Sequence, residues 1–230
     1  MKTNSTLRPH ERDSDLYLTL GLYQLRVLET ALPSARSLAY QLPALLSEVG
    51  ELHGVLAKEV RDDSNRPNYP ARKAELGDIT YLTALALNDL GFQHITPRVA
   101  RRVEERTEPD WLGNVPEAYV VSAALSREIE DVERFGYRLA FNDNPSKLRL
   151  ATTLQYLWSL LPHLAERLLL GMPQYDSRRA AVLSLKNVED YSRERVALRD
   201  DVFQDVLRAN VLKLADRARR GKIKGSGDNR

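Results

Sequence analysis

The sequence predicts an all-α fold, on three observations. Apolar residues recur every three or four positions along most of the chain, which is the spacing of a buried helical stripe. No segment of useful length alternates apolar and polar residues as a half-buried strand does. The chain has 230 residues, enough for a domain with its own core, and its lack of cysteine excludes disulfides and thiolate metal sites. We therefore expect one all-α domain over residues 1–230.

The first half of the chain reads as three helices. The first is predicted over about 14–30, and Pro33 and Pro43 mark a break or kink after it. Two apolar stripes follow, separated by a proline-containing loop over 61–70. The stripes consist of Leu42, Leu45, Leu46, Val49, Leu52 and Leu56, and then of Leu76, Ile79, Leu82, Leu85 and Leu90.

The second half continues the helical pattern. Gly221 predicts the end of the last helix, because glycine readily adopts the left-handed conformation of a C-terminal cap. The residues after it are rich in glycine and charge, so we expect a flexible tail. The predicted helices lie at about 117–140, 147–170, 177–195 and 198–220.

Four carboxylates in two short pairs are the strongest functional signal. Glu48 and Glu51 form one pair and Glu75 and Asp78 the other, and three-residue spacing puts both members of a pair on one helix face. Each acid directly precedes an apolar residue of a stripe, so each acidic row borders the packed seam. The 23 residues between the pairs suffice for a turn and an antiparallel return, which would bring the two rows together.

Clustered carboxylates point to a cation. Four acids held close together repel one another and have raised pKa values unless a positive charge neutralises them. Oxygen ligands without cysteine or a histidine pair suit Mg²⁺, with Mn²⁺ as a substitute, and Mg²⁺ commonly bridges carboxylates to substrate phosphates. The pattern therefore predicts a metal-dependent enzyme that acts on a phosphorylated substrate.

The charge is unevenly distributed. From Lys213 to Arg230 there are seven basic and two acidic residues, a charge of +5, so the rest of the chain carries −3. Such a tail suits a polyanionic small substrate and equally suits nucleic acid. No apolar run approaches the ~20 residues that span a bilayer, and the polar start lacks the apolar core of a signal peptide. We expect a cytoplasmic protein without a membrane partner.

Residues 115–170 carry a weaker signal of duplication. Glu128 and Asp131 match the first acidic pair at an offset of 80 positions, whereas Leu150 and Thr153 take the places of the second pair. One interpretation is a repeated helical hairpin that has lost half of its ligands. The other is that any two amphipathic helices align this well, and the sequence leaves both open.

The spacing of the acids resembles the defining motif of the all-α nucleoside triphosphate pyrophosphohydrolases, the MazG-like superfamily. The motif reads Glu48-x-x-Glu51, 23 residues, Glu75-x-x-Asp78. The end of the chain is similar to the C-terminal signature of one MazG-like group. The agreeing stretches are 46–52, 73–82, 210–217 and 221–230.

One departure from the family pattern concerns the middle of the chain. In compact members the terminal signature closely follows the second acidic helix, whereas an insertion intervenes here. A fused hairpin in that insertion would make the chain a tandem pseudo-dimer with one degenerate repeat. We divide the domain into an active hairpin (12–92), inserted helices (93–197), a C-terminal helix (198–220) and a basic tail (221–230).

The resemblance implies hydrolysis of a (deoxy)nucleoside triphosphate to the monophosphate and pyrophosphate, for nucleotide pool control or sanitation. The four acids would bind Mg²⁺, and Glu48 or Glu51 would accept a proton from the attacking water. The family's terminal asparagine and lysine correspond to Asn210 and Lys213, which would contact the phosphates. The family resemblance also implies a homo-oligomer, with a dimer favoured. Further cationic contacts would come from Arg217, Lys222 and Lys224.

Other functions stay open at this point. Within the superfamily, a phosphoribosyl-ATP pyrophosphohydrolase is disfavoured by the insertion and by the tail. A helical nucleic-acid-binding or regulatory protein would use the basic terminus but would leave the four acids unexplained, so nucleic acid is disfavoured as a partner. The intact acids argue against an inactive scaffold. The preferred base and sugar are not determined by the sequence.

Overall fold

A computed structural model describes residues 17–62, 67–99, 117–139 and 144–221. These residues contain α-helices and short 3₁₀ turns and no β-strand, which confirms the all-α fold class. In the same residues, no helix combines the length and apolar character needed to cross a membrane. The helices are α1 (Leu20–Thr30), α2 (Leu38–Arg61), α3 (Tyr69–Asp89), α4 (Glu117–Leu139), α5 (Asn144–Leu169), α6 (Asp176–Leu183) and α7 (Val188–Arg219).

Two helical hairpins pack side by side. Helices α2 and α3 form the first hairpin and α4 and α5 the second; α2 packs on α4, and α3 packs on α5. Helix α7 lies across α3 and α5, and α1 contacts both α3 and α7. The stripes predicted from the sequence supply much of the core, since Leu45, Leu52, Leu76, Ile79 and Leu85 are fully buried. This packing brings the C-terminal helix against the second acidic helix.

The hairpin packing bears on the proposed duplication. Helix α4 packs on α2 and α5 packs on α3, so each helix of the second hairpin contacts the helix that the proposed duplication would match with it. At the positions that correspond to Glu75 and Asp78, Leu150 is fully buried and Thr153 is nearly so. The second hairpin therefore packs an apolar surface where the first carries acids, and the duplication stays a prediction.

The start of α1 differs from the prediction. We expected this helix from about residue 14, but Tyr17, Leu18 and Thr19 are not helical and the helix begins at residue 20. The backbone of Leu18 instead pairs with the side chain of Gln204, which accepts a hydrogen bond at 2.7 Å and donates one at 3.1 Å. Thr19 then caps the helix, because its hydroxyl accepts a hydrogen bond from the backbone nitrogen of Leu22.

Three prolines lie before or near the start of a helix. A 3₁₀ turn over Pro33–Ala35 separates α1 from α2, as the break predicted there requires. Helix α2 continues through Pro43, so of the break or kink predicted there the break is wrong; the ring lies in the second turn and removes one backbone hydrogen bond. Pro70 belongs to the first turn of α3, where its missing N–H costs nothing, instead of to the loop.

The boundary predicted between 195 and 198 is also wrong. Helix α7 runs without interruption from Val188 to Arg219, and no proline or glycine lies in this stretch. The break falls earlier, where Asn187 caps α7 by accepting hydrogen bonds from the backbone nitrogens of Glu189 and Asp190. Gly221 follows the helix with φ of 62°, which confirms its predicted role in ending it.

Candidate metal centre

Three of the four predicted acids meet between α2 and α3. Glu48, Glu51 and Glu75 each offer a carboxylate oxygen, and these three oxygens lie within 4.8 Å of one another. All three side chains are half-buried, because each borders the buried seam without entering it. The predicted convergence of the two acidic rows is therefore present in the fold.

The fourth acid, Asp78, lies one turn further along α3 and outside this group of three. The Asn210 side-chain amide donates to Asp78 Oδ1 at 3.1 Å, and the Lys213 ammonium contacts Oδ2. Both partners come from α7, the helix packed against α3. The two residues that the family resemblance assigns to substrate phosphates therefore contact Asp78, the fourth predicted acid. We call the group of three glutamates together with Asp78 the carboxylate centre.

The donor set fits a hard divalent cation. The nearby ligand atoms are all oxygens, and the family resemblance implies Mg²⁺ at this position. Glu48, Glu51 and Glu75 would hold such an ion, with Asp78 adjacent to them.

Burial and the neighbouring acids both disfavour the charged form of Glu48. Partial burial, and then the negative charges of Asp78, Glu51 and Glu75, raise the pKa of Glu48 from 4.5 to about 7, and Lys213 opposes the rise. Near neutral pH this carboxyl is therefore protonated in a substantial fraction of molecules when no cation is bound. A cation bound at this group of carboxylates would favour the charged form of Glu48 and would therefore compete with the proton.

We expect the free energy of unfolding, without divalent ions, to fall as pH rises from about 4.5 to 7. A carboxyl whose pKa is raised by folding contributes stability below its unfolded pKa and loses it through its folded pKa. Without screening, the pKa shift of Glu48 corresponds to a loss of roughly 3 kcal/mol in the free energy of unfolding. Solvent screening at this half-buried group reduces the expected loss to about 1–2 kcal/mol.

This change is measured as the difference between the wild type and Glu48→Gln in urea titrations with EDTA, from pH 5 to 8. A difference is needed because burial, and then Arg199 and Arg195, lower the pKa of His163 to about 3, and a neutral buried histidine gives a slope of the opposite sign. Added Mg²⁺ should shrink the Glu48-dependent loss. Equal pH profiles for the two proteins would contradict the assignment.

The approach of α7 to α3 depends on a glycine. A Cβ at Gly77 would lie 3.0 Å from Asn210 Nδ2 and 3.2 Å from Asn210 Cβ, closer than ordinary van der Waals contact. Gly77 directly precedes Asp78 in the sequence. The absence of a side chain at 77 therefore lets the Asn210 amide reach the carboxylate.

One residue near the centre had no functional signal in the sequence. The Tyr23 hydroxyl, on α1, donates to Asn210 Oδ1 at 2.8 Å, and the side chain is fully buried. Tyr23 belongs to the apolar stripe of α1 and is separated from its partner by 187 residues. Its place in a helical stripe indicated only a core position.

Three further residues were predicted to contact the substrate: Arg217, Lys222 and Lys224. Arg217 is half-buried on the same helix as Asn210 and Lys213, two turns beyond the asparagine. Lys222 and Lys224 lie outside the described residues. The proposed contacts of these three side chains with a substrate stay predictions.

The second hairpin lacks an equivalent centre in the residues described. Asp131 pairs with Arg134 at 3.5 Å, and Glu128 is half-buried on the same helix. No third acid joins them in a group close enough to share an ion, as far as the described residues extend. The acids of this hairpin thus serve as internal controls for those of the first.

Fold and site together define an all-α helical protein with a carboxylate centre between two antiparallel helices. Comparisons of the chain with protein-family models, with curated proteins and with solved structures found no match. Membership of the MazG-like superfamily therefore rests on the motif residues and stays a prediction.

Proposed function

We propose that the protein is a Mg²⁺-dependent pyrophosphohydrolase that converts a (deoxy)nucleoside triphosphate to the monophosphate and pyrophosphate. The observation that carries the proposal is the convergence of Glu48, Glu51 and Glu75, with Lys213 and Asn210 on the adjacent Asp78. A carboxylate centre faced by a cationic and an amide donor suits a metal-bound polyphosphate. Mg²⁺ would neutralise phosphate oxygens and lower the pKa of a water molecule.

The protein side chains have distinct roles in this proposal. Glu48, Glu51 and Glu75 would hold the ion, with Asp78 adjacent. Glu48 is one candidate to accept the water's proton, because its carboxylate belongs to the group of three that would hold the ion. Glu51 is the other candidate that the sequence leaves for this step.

Lys213 and Asn210 would orient the phosphates. Lys213 supplies a positive charge beside Asp78, and Asn210 supplies an N–H donor that is buried except for a small fraction of its surface. Both types of donor stabilise negative charge that develops on phosphate oxygens during cleavage. Arg217 and the basic tail would add positive charge further along the polyphosphate.

The test is to incubate the protein with a panel of canonical and altered (d)NTPs, with Mg²⁺ and with EDTA, and to identify the products by ³¹P NMR. The expected result is Mg²⁺-dependent release of monophosphate and pyrophosphate in a one-to-one ratio. Release of diphosphate and phosphate would contradict the proposed bond, and the lack of any turnover by folded protein would overturn the proposal. Light scattering of the same sample tests the proposed homo-oligomer.

A further inference from the structure

We propose that Tyr23 is a positioning residue of the carboxylate centre, whose hydroxyl fixes the Asn210 amide in the orientation that donates to Asp78. The consequence for catalysis rests on the proposed function, whereas the effect on the amide does not. Tyr23 donates to Asn210, and Asn210 donates to Asp78, so Tyr23 acts on the centre through Asn210.

The geometry forms a chain of two hydrogen bonds across three helices. Tyr23 on α1 donates to Asn210 Oδ1 at 2.8 Å, and Asn210 Nδ2 on α7 donates to Asp78 Oδ1 on α3 at 3.1 Å. A primary amide has one acceptor atom and one donor atom at its two ends. The hydroxyl and the carboxylate therefore each select the same orientation of the amide.

A phenol is suited to this role because it keeps its proton. Burial, and then the negative charge of Asp78, hold the pKa of Tyr23 well above its usual range. The hydroxyl therefore keeps its proton, and can donate, at neutral pH. A buried carbonyl oxygen without a hydrogen-bond donor costs free energy. The Tyr23 hydroxyl therefore favours the amide orientation that places Asn210 Oδ1 beside it, and loss of the hydroxyl would remove that contribution.

The ring of Tyr23 is held independently of its hydroxyl. It packs against Trp158, with ring centroids 5.8 Å apart, and is fully buried. Replacement by phenylalanine keeps this packing and removes one oxygen atom. The variant Tyr23→Phe therefore separates the hydrogen bond from the packing of α1.

The consequence is a carboxylate with a fixed direction. Asp78 receives Asn210 at one oxygen and Lys213 at the other, so both oxygens are oriented by α7. Partners of this kind around a metal site change ion affinity by about 10–100-fold when they are removed. Because Tyr23 acts one step further out, we expect the lower end of this range for Tyr23→Phe.

The first measurement is made on the full chain labelled with ¹⁵N-asparagine, without metal. In the wild type, we expect the Asn210 side-chain amide protons to be protected from solvent exchange, and in Tyr23→Phe the protection should fall about five- to tenfold. The control is Tyr175→Phe, which removes a partly buried hydroxyl that contacts Asp205 away from the centre. Unchanged protection in Tyr23→Phe would overturn the inference.

The second measurement is a double-mutant cycle on Mg²⁺ affinity and on kcat for a triphosphate. Tyr23→Phe should lower Mg²⁺ affinity about tenfold, and should have no further effect when Asn210 is already alanine. Independent effects of the two changes would show that Tyr23 does not act through Asn210. If the wild type neither binds Mg²⁺ nor turns over triphosphates, the proposed function fails, and the amide signals of Asn210 still decide the role of Tyr23.

Discussion

Replacing Glu48 with glutamine is expected to lower Mg²⁺-dependent turnover at least about 100-fold, since removal of even an outer partner of a metal ligand costs 10–100-fold. The change keeps the size of the side chain and removes a charge that the other acids already oppose. Without divalent ions at pH 8, the variant should therefore be more stable than the wild type by about 1–2 kcal/mol. Steady-state kinetics and urea unfolding measure the two effects on the same sample.

The opposite directions of these effects make the test sharp. A variant that lost activity by misfolding would lose stability as well, whereas Glu48→Gln should gain it. The matched control is Glu128→Gln with Asp131→Asn, the equivalent pair of the second hairpin, which should keep full turnover. Wild-type activity in Glu48→Gln would refute the proposed centre, and loss of Mg²⁺ binding in the control would reveal a second centre.

The convergence of the acids was predictable because local information sufficed. The three-residue spacing fixed a common face, and the neighbouring apolar residues fixed that face beside the seam. The hydrogen bonds of Asp78 were not predictable in this way. They depend on α7 crossing α3 more than 130 residues later in the chain, and no local pattern specifies that crossing.

The resemblance located Asn210 and Lys213 but gave them only a contact with substrate. In the structure both contact Asp78, so they also neutralise and orient the centre itself. Tyr23 was missed because a tyrosine in an apolar stripe looks like any other core residue. Only the position of its hydroxyl, which depends on the packing of α1 against α7, distinguishes it.

The helix pattern was predictable, and so were several helix ends: the helix expected at 117–140 is Glu117–Leu139, and the one expected to end at 170 ends at residue 169. Periodicity identified the long helices, since burial of one face requires it. The errors fell where a short polar signal competes with the periodicity. Thr19 and Asn187 cap helices that the apolar pattern alone would have extended or merged, and the stretch around residue 196 contains nothing that stops a helix.

Replacing Arg72 with methionine is expected to destabilise the fold by about 3–5 kcal/mol, because one partner of a buried ion pair is then left uncompensated. Arg72 Nη2 lies 2.6 Å from Glu59 Oε2, and the two side chains are 6% and 12% exposed. Arg72 Nη1 also donates to the Leu168 carbonyl at 3.0 Å, so this residue joins α2, α3 and α5. Equilibrium urea unfolding measures the loss.

The control uses an ion pair of the same chemistry at the surface. Arg61 lies 2.6 Å from Asp62, and both side chains are more than half exposed, so Arg61→Met should cost far less stability than Arg72→Met. Adding Glu59→Leu to Arg72→Met should recover part of the loss, because no buried charge then lacks its partner. Recovery should be incomplete, since Glu59 also accepts a hydrogen bond from the Asn68 backbone at 2.6 Å.

The same variants test how closely the metal centre depends on the inserted helices. Arg72 lies one turn before Glu75 on α3, and its bond to Leu168 fixes that turn against α5. If the second hairpin serves as the scaffold of the first, Arg72→Met should weaken Mg²⁺ binding even under conditions where the protein stays folded, and Arg61→Met should leave it unchanged. Equal Mg²⁺ affinity in both variants would mean that α2 and α3 hold the carboxylates in place without the bond from Arg72 to Leu168.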